Sequence, residues 1–219
     1  MVIMILLIIS LAAIFTVLVV TEYIWRKKIV SPETARKTVH IIVGVIVASW
    51  MFYLSQLAIV LLGIAMFTVV GISKRFAIFH AIHSVKRKTF GELYFAIGIV
   101  LAALLTNSPW IFAAAILHVS LADGLAGLVG SASKKPLGYW VFKHFKSVQG
   151  TATFFIVSVV IFMAAIYFDP LEIPNIALPI VAVFSLLIAL IENVSPYGSD
   201  DLIVPVAVIA ILESVSLLS

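Results

Sequence analysis

The sequence predicts an all-α integral membrane protein, a polytopic bundle of about eight transmembrane helices. Three observations carry that expectation. Hydrophobic residues make up 63% of the chain and charged residues only 11%, where a soluble domain carries roughly 25% charged residues; mean hydropathy is +1.25. The apolar residues gather into eight segments, at about 2–21, 38–54, 56–72, 92–106, 109–130, 148–168, 176–193 and 202–218, and a spanning helix needs about 17–25 residues. Lysine and arginine, finally, fall only in alternate loops. The expectation is a single transmembrane domain over 1–219 with almost no soluble part.

Each segment has its own reading. The first is followed, not preceded, by Arg26, Lys27 and Lys28. A signal peptide puts its positive charges before the apolar core and a small-residue cleavage site after it, so this segment reads as a retained helix. The second and third are joined only by residues around Ser55 and form a tight helical hairpin. The fourth is short and must borrow from its flanks. The fifth and sixth bracket the stretch from Asp123 to Gly150, where chemistry collects. The last two flank ENVSPYGSDDLIVP, an acidic loop on the side where every other loop is basic.

The loops between them alternate. All 14 Lys and Arg residues lie in the first loop (Arg26, Lys27, Lys28, Arg36, Lys37), the third (Lys74, Arg75, Lys86, Arg87, Lys88) and the fifth (Lys134, Lys135, Lys143, Lys146). The second and fourth have none, and the sixth has only Asp169 and Glu172. By the positive-inside rule the odd loops are cytoplasmic and both termini are outside. The same face holds Glu33, His40, Glu92, Asp123, Glu192, Asp200 and Asp201, so the expected active site is cytoplasmic. In the third loop Ile72, Phe76, Phe79, Ile82 and Val85 recur at helical spacing among basic residues. That is the pattern of an interfacial helix on anionic lipid, or of a gate for a lipid entering sideways.

The absence of cysteine excludes disulfides, thiolate catalysis and Cys-ligated metals. The net charge of +4 follows topology and does not call for nucleic acid. Asp123, Ala126, Gly127 and Gly130 fall on one helical stripe, at i, i+3, i+4 and i+7. A stripe without bulky side chains lets another backbone, or a ligand, come close. The acid at its top is costly in hydrocarbon, so it should face a polar cavity and a cation. Carboxylates are the usual protein ligands of Mg²⁺, and the lysines that follow suit a polyanion. Acid, metal, basic loop and glycine turn together suggest a nucleotide phosphate site at a membrane surface. His118 lies off the Asp123 face and reads as a core histidine.

Lys146-Ser147-Val148-Gln149-Gly150 opens the sixth segment. Ser147 suits a helix cap, and a helix N-terminus beside a lysine also suits an anion. No Walker A loop, Gly-rich kinase loop or Rossmann fingerprint is present. Tyr139, Trp140, Phe142 and Phe145 read as an interfacial aromatic belt. Arg36 and His40, at i and i+4, share a face where the second helix enters the bilayer; with Lys37 and Glu92 they are candidates for phosphate or substrate binding. Glu192, Asp200 and Asp201 suit a metal or a proton acceptor, or else a solvated turn.

At these residues the chain resembles the CTP-dependent lipid kinases, the family of dolichol kinase, phytol kinase and the CTP-dependent diacylglycerol kinase, distantly related to phosphatidate cytidylyltransferase. Asp123, Ala126 and Gly130 match the first half of that family's nucleotide motif, and Lys146, Ser147 and Gly150 the second. Arg36, Lys37 and His40 are similar to the start of the kinase branch. Gly91-Glu92-Leu93-Tyr94-Phe95 and the ending Asp200-Asp201-Leu202-Ile203-Val204-Pro205 resemble further family segments. Three departures stand out: Gln149 replaces the usual glutamate, the spacer glycine is displaced to Gly138, and Asp201 replaces an asparagine.

The resemblance implies transfer of the γ-phosphate of CTP to the hydroxyl of a membrane lipid alcohol of polyprenol, dolichol or phytol type. Asp123 is then expected to hold Mg²⁺, with Asp200 or Asp201. Lys146, Ser147 and the amides near Gly150 would meet the phosphates, with Ala126, Gly127, Gly130 and Lys134 lining the nucleotide. Arg36, Lys37, His40 and Glu92 would steady the γ-phosphate or the lipid head, and Glu192 or Asp200 would take the hydroxyl proton. The alternatives are a CTP:lipid-phosphate cytidylyltransferase, which releases pyrophosphate, and a transporter. Transporters place charges near the midplane of broken helices and often contain repeats; here no convincing repeat is found and the polar residues collect at one face.

Overall fold

A computed structural model gives the fold and describes residues 2–76, 90–132, 137–141, 144–168 and 177–217. Eight helical runs occur among them, as the apolar segments predict. Helix α1 (Val2–Arg26) is apolar almost throughout and ends on a Glu22–Arg26 pair at 2.8 Å. Helix α2 (Pro32–Ala48) starts six residues before its apolar stretch. The reason is local: Ser31 Oγ accepts from the Thr34 amide, and Pro32 has its ring where no intrahelical N–H is needed. A 3₁₀ turn (Trp50–Phe52) closes the hairpin into α3 (Gln56–Phe76), with Ser55 Oγ accepting from the Ala58 amide.

Helix α4 (Gly91–Leu105) has 15 residues, about 22 Å of rise. Ser108 and Pro109 then cap α5 (Pro109–Leu117), which continues through a π turn (His118–Ala122) into α6 (Asp123–Ala132). A short antiparallel hairpin follows, β1 (Gly138–Val141) with β2 (His144–Ser147), pairing Tyr139 with Lys146 and Trp140 with Phe145. The sequence predicts an aromatic loop here. The alternation of Tyr139, Phe145 and their neighbours is too short to stand out as a strand pattern in an apolar chain. Helices α7 (Val148–Phe168), α8 (Leu178–Val194) and α9 (Asp200–Ser216) complete the bundle.

The run 109–132 is the axis. Phe112, Ala115, Ile116, Val119 and Ala122 are fully enclosed by α2, α7 and α9. His118 lies in this core, bonded to Ala114 O at 2.7 Å and Ser158 Oγ at 2.9 Å, as a core histidine should be. Outward, α3 shows Leu57, Leu61, Ile64 and Phe67, and α7 shows Ile156 and Val160. A bundle whose outer faces are as apolar as its core is built for lipid. This is a membrane protein, and among the described residues five runs are long and apolar enough to cross a bilayer: Val2–Arg26, Pro32–Phe52, Gln56–Phe76, Pro109–Ala132 and Val148–Phe168. The amphipathic pattern through Phe79, Ile82 and Val85 lies outside the described residues.

Candidate active site

The beginnings of α2, α4, α7 and α9, the end of α8 and the start of α6 meet at one end of the bundle. Asp123 is where they converge. Its carboxylate is paired with Lys37 of α2, whose ammonium also reaches Asp123 O at 3.3 Å. On one side, ligand oxygens of Asp123, Glu192 and Asp200 all lie within 4.8 Å of one another. On the other side, ligand atoms of Asp123, His40 and Asp201 do the same.

The first group brings three acids from three helices together. Lys146, on β2, closes it with a 2.5 Å bond to Glu192 Oε1. Burial works against the Lys146 charge, but the Glu192 carboxylate beside it outweighs that and holds the ammonium above the ordinary lysine range. The hairpin carrying Lys146 is tied down by Tyr139, whose hydroxyl meets Thr151 Oγ1 at 2.7 Å and Asn193 Oδ1 at 3.0 Å. Asn193 follows Glu192 directly, so one helix end fixes both the lysine and its strand. Among the described residues Asp200 has no ion-pair partner. An acid left without a cation beside two others is a donor set of hard oxygens, suited to a divalent cation such as Mg²⁺.

The second group has a different character. His40 Nε2 donates to Val119 O at 2.9 Å, a carbonyl of the π turn, and lies 3.3 Å from Asp201 Oδ1. That oxygen is buried without a hydrogen bond. Its place is set by the sequence around it. Pro205 has no N–H for the Asp201 carbonyl four residues back. Gly98 of α4 lets that carbonyl approach, since a Cβ there would sit 2.6 Å from Asp201 O. Arg36, on the same face of α2 as His40, pairs with Glu33 at 2.9 Å and has its Nε buried without a partner. Glu92 lies farther out, 3.8 Å from Lys74.

No protein-family model and no solved structure matches the chain. Among curated proteins it is similar to a phytol kinase of Synechocystis sp., 29% identical over 193 residues that cover 86% of this chain and 82% of that protein. That relative is a lipid kinase. The relationship indicates a phosphotransferase acting on an alcohol, in keeping with the motif resemblance.

The motif residues divide between contact with the site and support of it. Asp123, Lys146, Glu192 and Asp200 meet in one group, and Asp201 joins Asp123 and His40 in the other, whose donors could also hold a metal ion. Neighbours in a helix start point about 100° apart, so one acid serves each side. Lys37 faces Asp123 and Gly127, where a Cβ would lie 2.6 Å from the Lys37 side chain. The small stripe is therefore filled by a lysine and by the start of α7. Ser147 Oγ caps α7 by accepting from the Gly150 amide at 3.0 Å, and Val148 N donates to Leu137 O at 2.9 Å. Those two amides are occupied, and the Lys146 ammonium is the charged group of that turn.

A Cβ on Gly150 would lie 2.8 Å from Ser147 Oγ and 2.9 Å from Ala126 O, so the glycine lets α7 and α6 touch. Ala126 and Gly130 form the other side of that contact. Lys134 lies outside the described residues. Tyr139 and Asn193 escaped the sequence reading as site residues. The available signal was their position: Asn193 directly follows Glu192, and Tyr139 sits in the basic loop.

Proposed function

We propose that this chain is a CTP-dependent kinase that transfers the γ-phosphate to the hydroxyl of a membrane lipid alcohol. The observation that carries it is the convergence of Asp123, Glu192 and Asp200 with Lys37 and Lys146 at one end of an apolar bundle. Phosphoryl transfer asks little covalent chemistry of a protein; positioning and charge neutralisation do most of it. Asp123 and Asp200, with Glu192, would hold Mg²⁺, which would neutralise phosphate charge.

Lys146 meets the triphosphate, exchanging its contact with Glu192 for phosphate oxygens. Lys37 holds Asp123 in place. The alcohol oxygen forms a bond to the γ-phosphorus, the bond from that phosphorus to the bridging oxygen breaks, and the nucleoside diphosphate leaves. The hydroxyl proton passes to a carboxylate. The kinase relative supports the reaction class, and its name supports a long-chain isoprenoid alcohol as acceptor.

The topology belongs to the same proposal. Eight helical runs cross the bilayer, both termini lie outside and the site is cytoplasmic. The partition of lysine and arginine supports it, as does the meeting of odd-numbered loops at the site. The test is a product assay on purified protein in detergent with γ-labelled CTP, Mg²⁺ and a panel of lipid alcohols. Label should move to the organic phase. Pyrophosphate release on lipid phosphates, with no transfer to any alcohol, would overturn the kinase in favour of a cytidylyltransferase.

A further inference from the structure

A cavity of about 290 Å³ opens between α1, α2, α3 and α4. It is polar at one end only. Arg36, His40, Ser73, Glu92 and Asp201 line that end, and the rest of its wall is apolar side chains, that of Trp50 among them. The helices agree on its direction. Leu11 of α1, Trp50 after α2 and Leu62 of α3 lie far from the site, whereas Arg36 and Ser73 lie near it. Arg36 and Trp50 are fourteen positions apart along one helical run, a depth of about 21 Å. Ligand pockets usually run from about 300 to 1,000 Å³. A volume at the bottom of that range, drawn out over such a depth, is narrow.

We propose that this cavity seats the acceptor: a single-chain lipid alcohol, tail inward, with its hydroxyl donating to Asp201 Oδ1. The inference rests on the kinase reading above and adds where the acceptor binds and what measures it. The polar end supplies the argument. Asp201 is 6% exposed, lines the cavity, and has an oxygen with no hydrogen bond. A buried acceptor without a donor costs about 1–3 kcal/mol. The nearby His40 Nε2 gives its proton to Val119 O. A hydroxyl at the head of an apolar chain supplies the missing donor and fills the apolar depth at once. There it also adjoins the transferred phosphate, because Asp123 belongs both to the Asp201 group and to the Glu192–Asp200 group.

Trp50, 2% exposed, stands at the far end and limits the length of tail the cavity encloses. The narrowness excludes two acyl chains side by side. The cavity therefore selects one tail over two, and chains up to its depth over longer ones.

A linear alcohol carrying a mid-chain diazirine tests the site directly. Irradiation with the wild-type protein in detergent, followed by peptide mapping, should label α1, α2 and α3, and excess long-chain alcohol should compete. Ala65→Phe, which fills the cavity from α3, should abolish that labelling while equilibrium binding of labelled CTP stays at the wild-type value. In the transfer assay Ala65→Phe should raise KM for the alcohol by about ten-fold or more with KM for CTP unchanged. Trp50→Ala should move the preferred chain length upward. Scattered labelling, or labelling and chain preference that ignore both substitutions, would overturn the inference. Labelling in the cavity without transfer from any nucleotide would keep the acceptor site and sink the kinase; transfer without cavity labelling would do the reverse.

Discussion

The two sides of Asp123 are built on opposite principles. Toward the β-hairpin, charge meets charge: Lys146 against Glu192, Lys37 against Asp123, and Asp200 left over beside them. Toward the cavity the polar atoms are fewer, and several are buried without a hydrogen bond: Asp201 Oδ1, Arg36 Nε and, farther out, Glu92 Oε2. A charged cluster whose pairs can be exchanged suits a triphosphate and its cation. An acceptor without a hydrogen bond, on an apolar wall, suits a neutral hydroxyl. A residue shared by both sides is where the two substrates should meet, and Asp123 is that residue.

Substitutions can break this division or sharpen it. The largest effect should come from Asp123→Asn, which touches both sides. Transfer should fall by about 10³-fold, on the scale of losing one preorganised electrostatic group, with a monodisperse gel-filtration profile retained. Transfer within ten-fold of wild type would remove Asp123 from the centre of the site. Lys146→Ala should cost about 10²-fold, seen as loss of nucleotide affinity with the alcohol KM unmoved. It also leaves Glu192 buried and unpaired, so Tm should drop. Adding Glu192→Gln should restore Tm but not turnover, which separates the stability of the pair from its chemistry.

Smaller effects lie in the support. Gly150→Ala forces a Cβ against Ser147 and Ala126 and should destabilise by about 1–3 kcal/mol, read as a lower Tm with the KM values retained. Ser147→Ala removes only the cap, worth about 1 kcal/mol. Tyr139→Phe should cost about 1 kcal/mol or less. Because the hairpin then holds Lys146 less firmly, KM for the nucleotide should rise slightly and that for the alcohol should not. A change in the alcohol KM instead would place the hairpin on the wrong side of Asp123.

The helices and the candidate residues were legible in the sequence for a simple reason. In hydrocarbon the backbone must satisfy its own hydrogen bonds, so an apolar run of sufficient length has few conformations open to it. Acids and histidines are too costly there to be incidental, which is why Asp123, His40 and Glu192 stood out without coordinates. The cap at Ser147 was readable too, because capping is local. The hairpin was not, being a pair of four-residue strands fixed by Tyr139 reaching Thr151 and Asn193.

What the sequence by itself determined is the class of molecule, the helical runs and the list of polar residues at one end. Only the tertiary structure decided how that list divides. Asp200 and Asp201 are neighbours in the chain, yet a helix start turns them to different partners, one to Glu192 and one to His40. Lys37 and Asp123, 86 positions apart, form a pair that no local spacing announces. The cavity likewise belongs to no single helix. It exists because four of them leave room between one another, and packing of that kind is settled by the whole bundle at once.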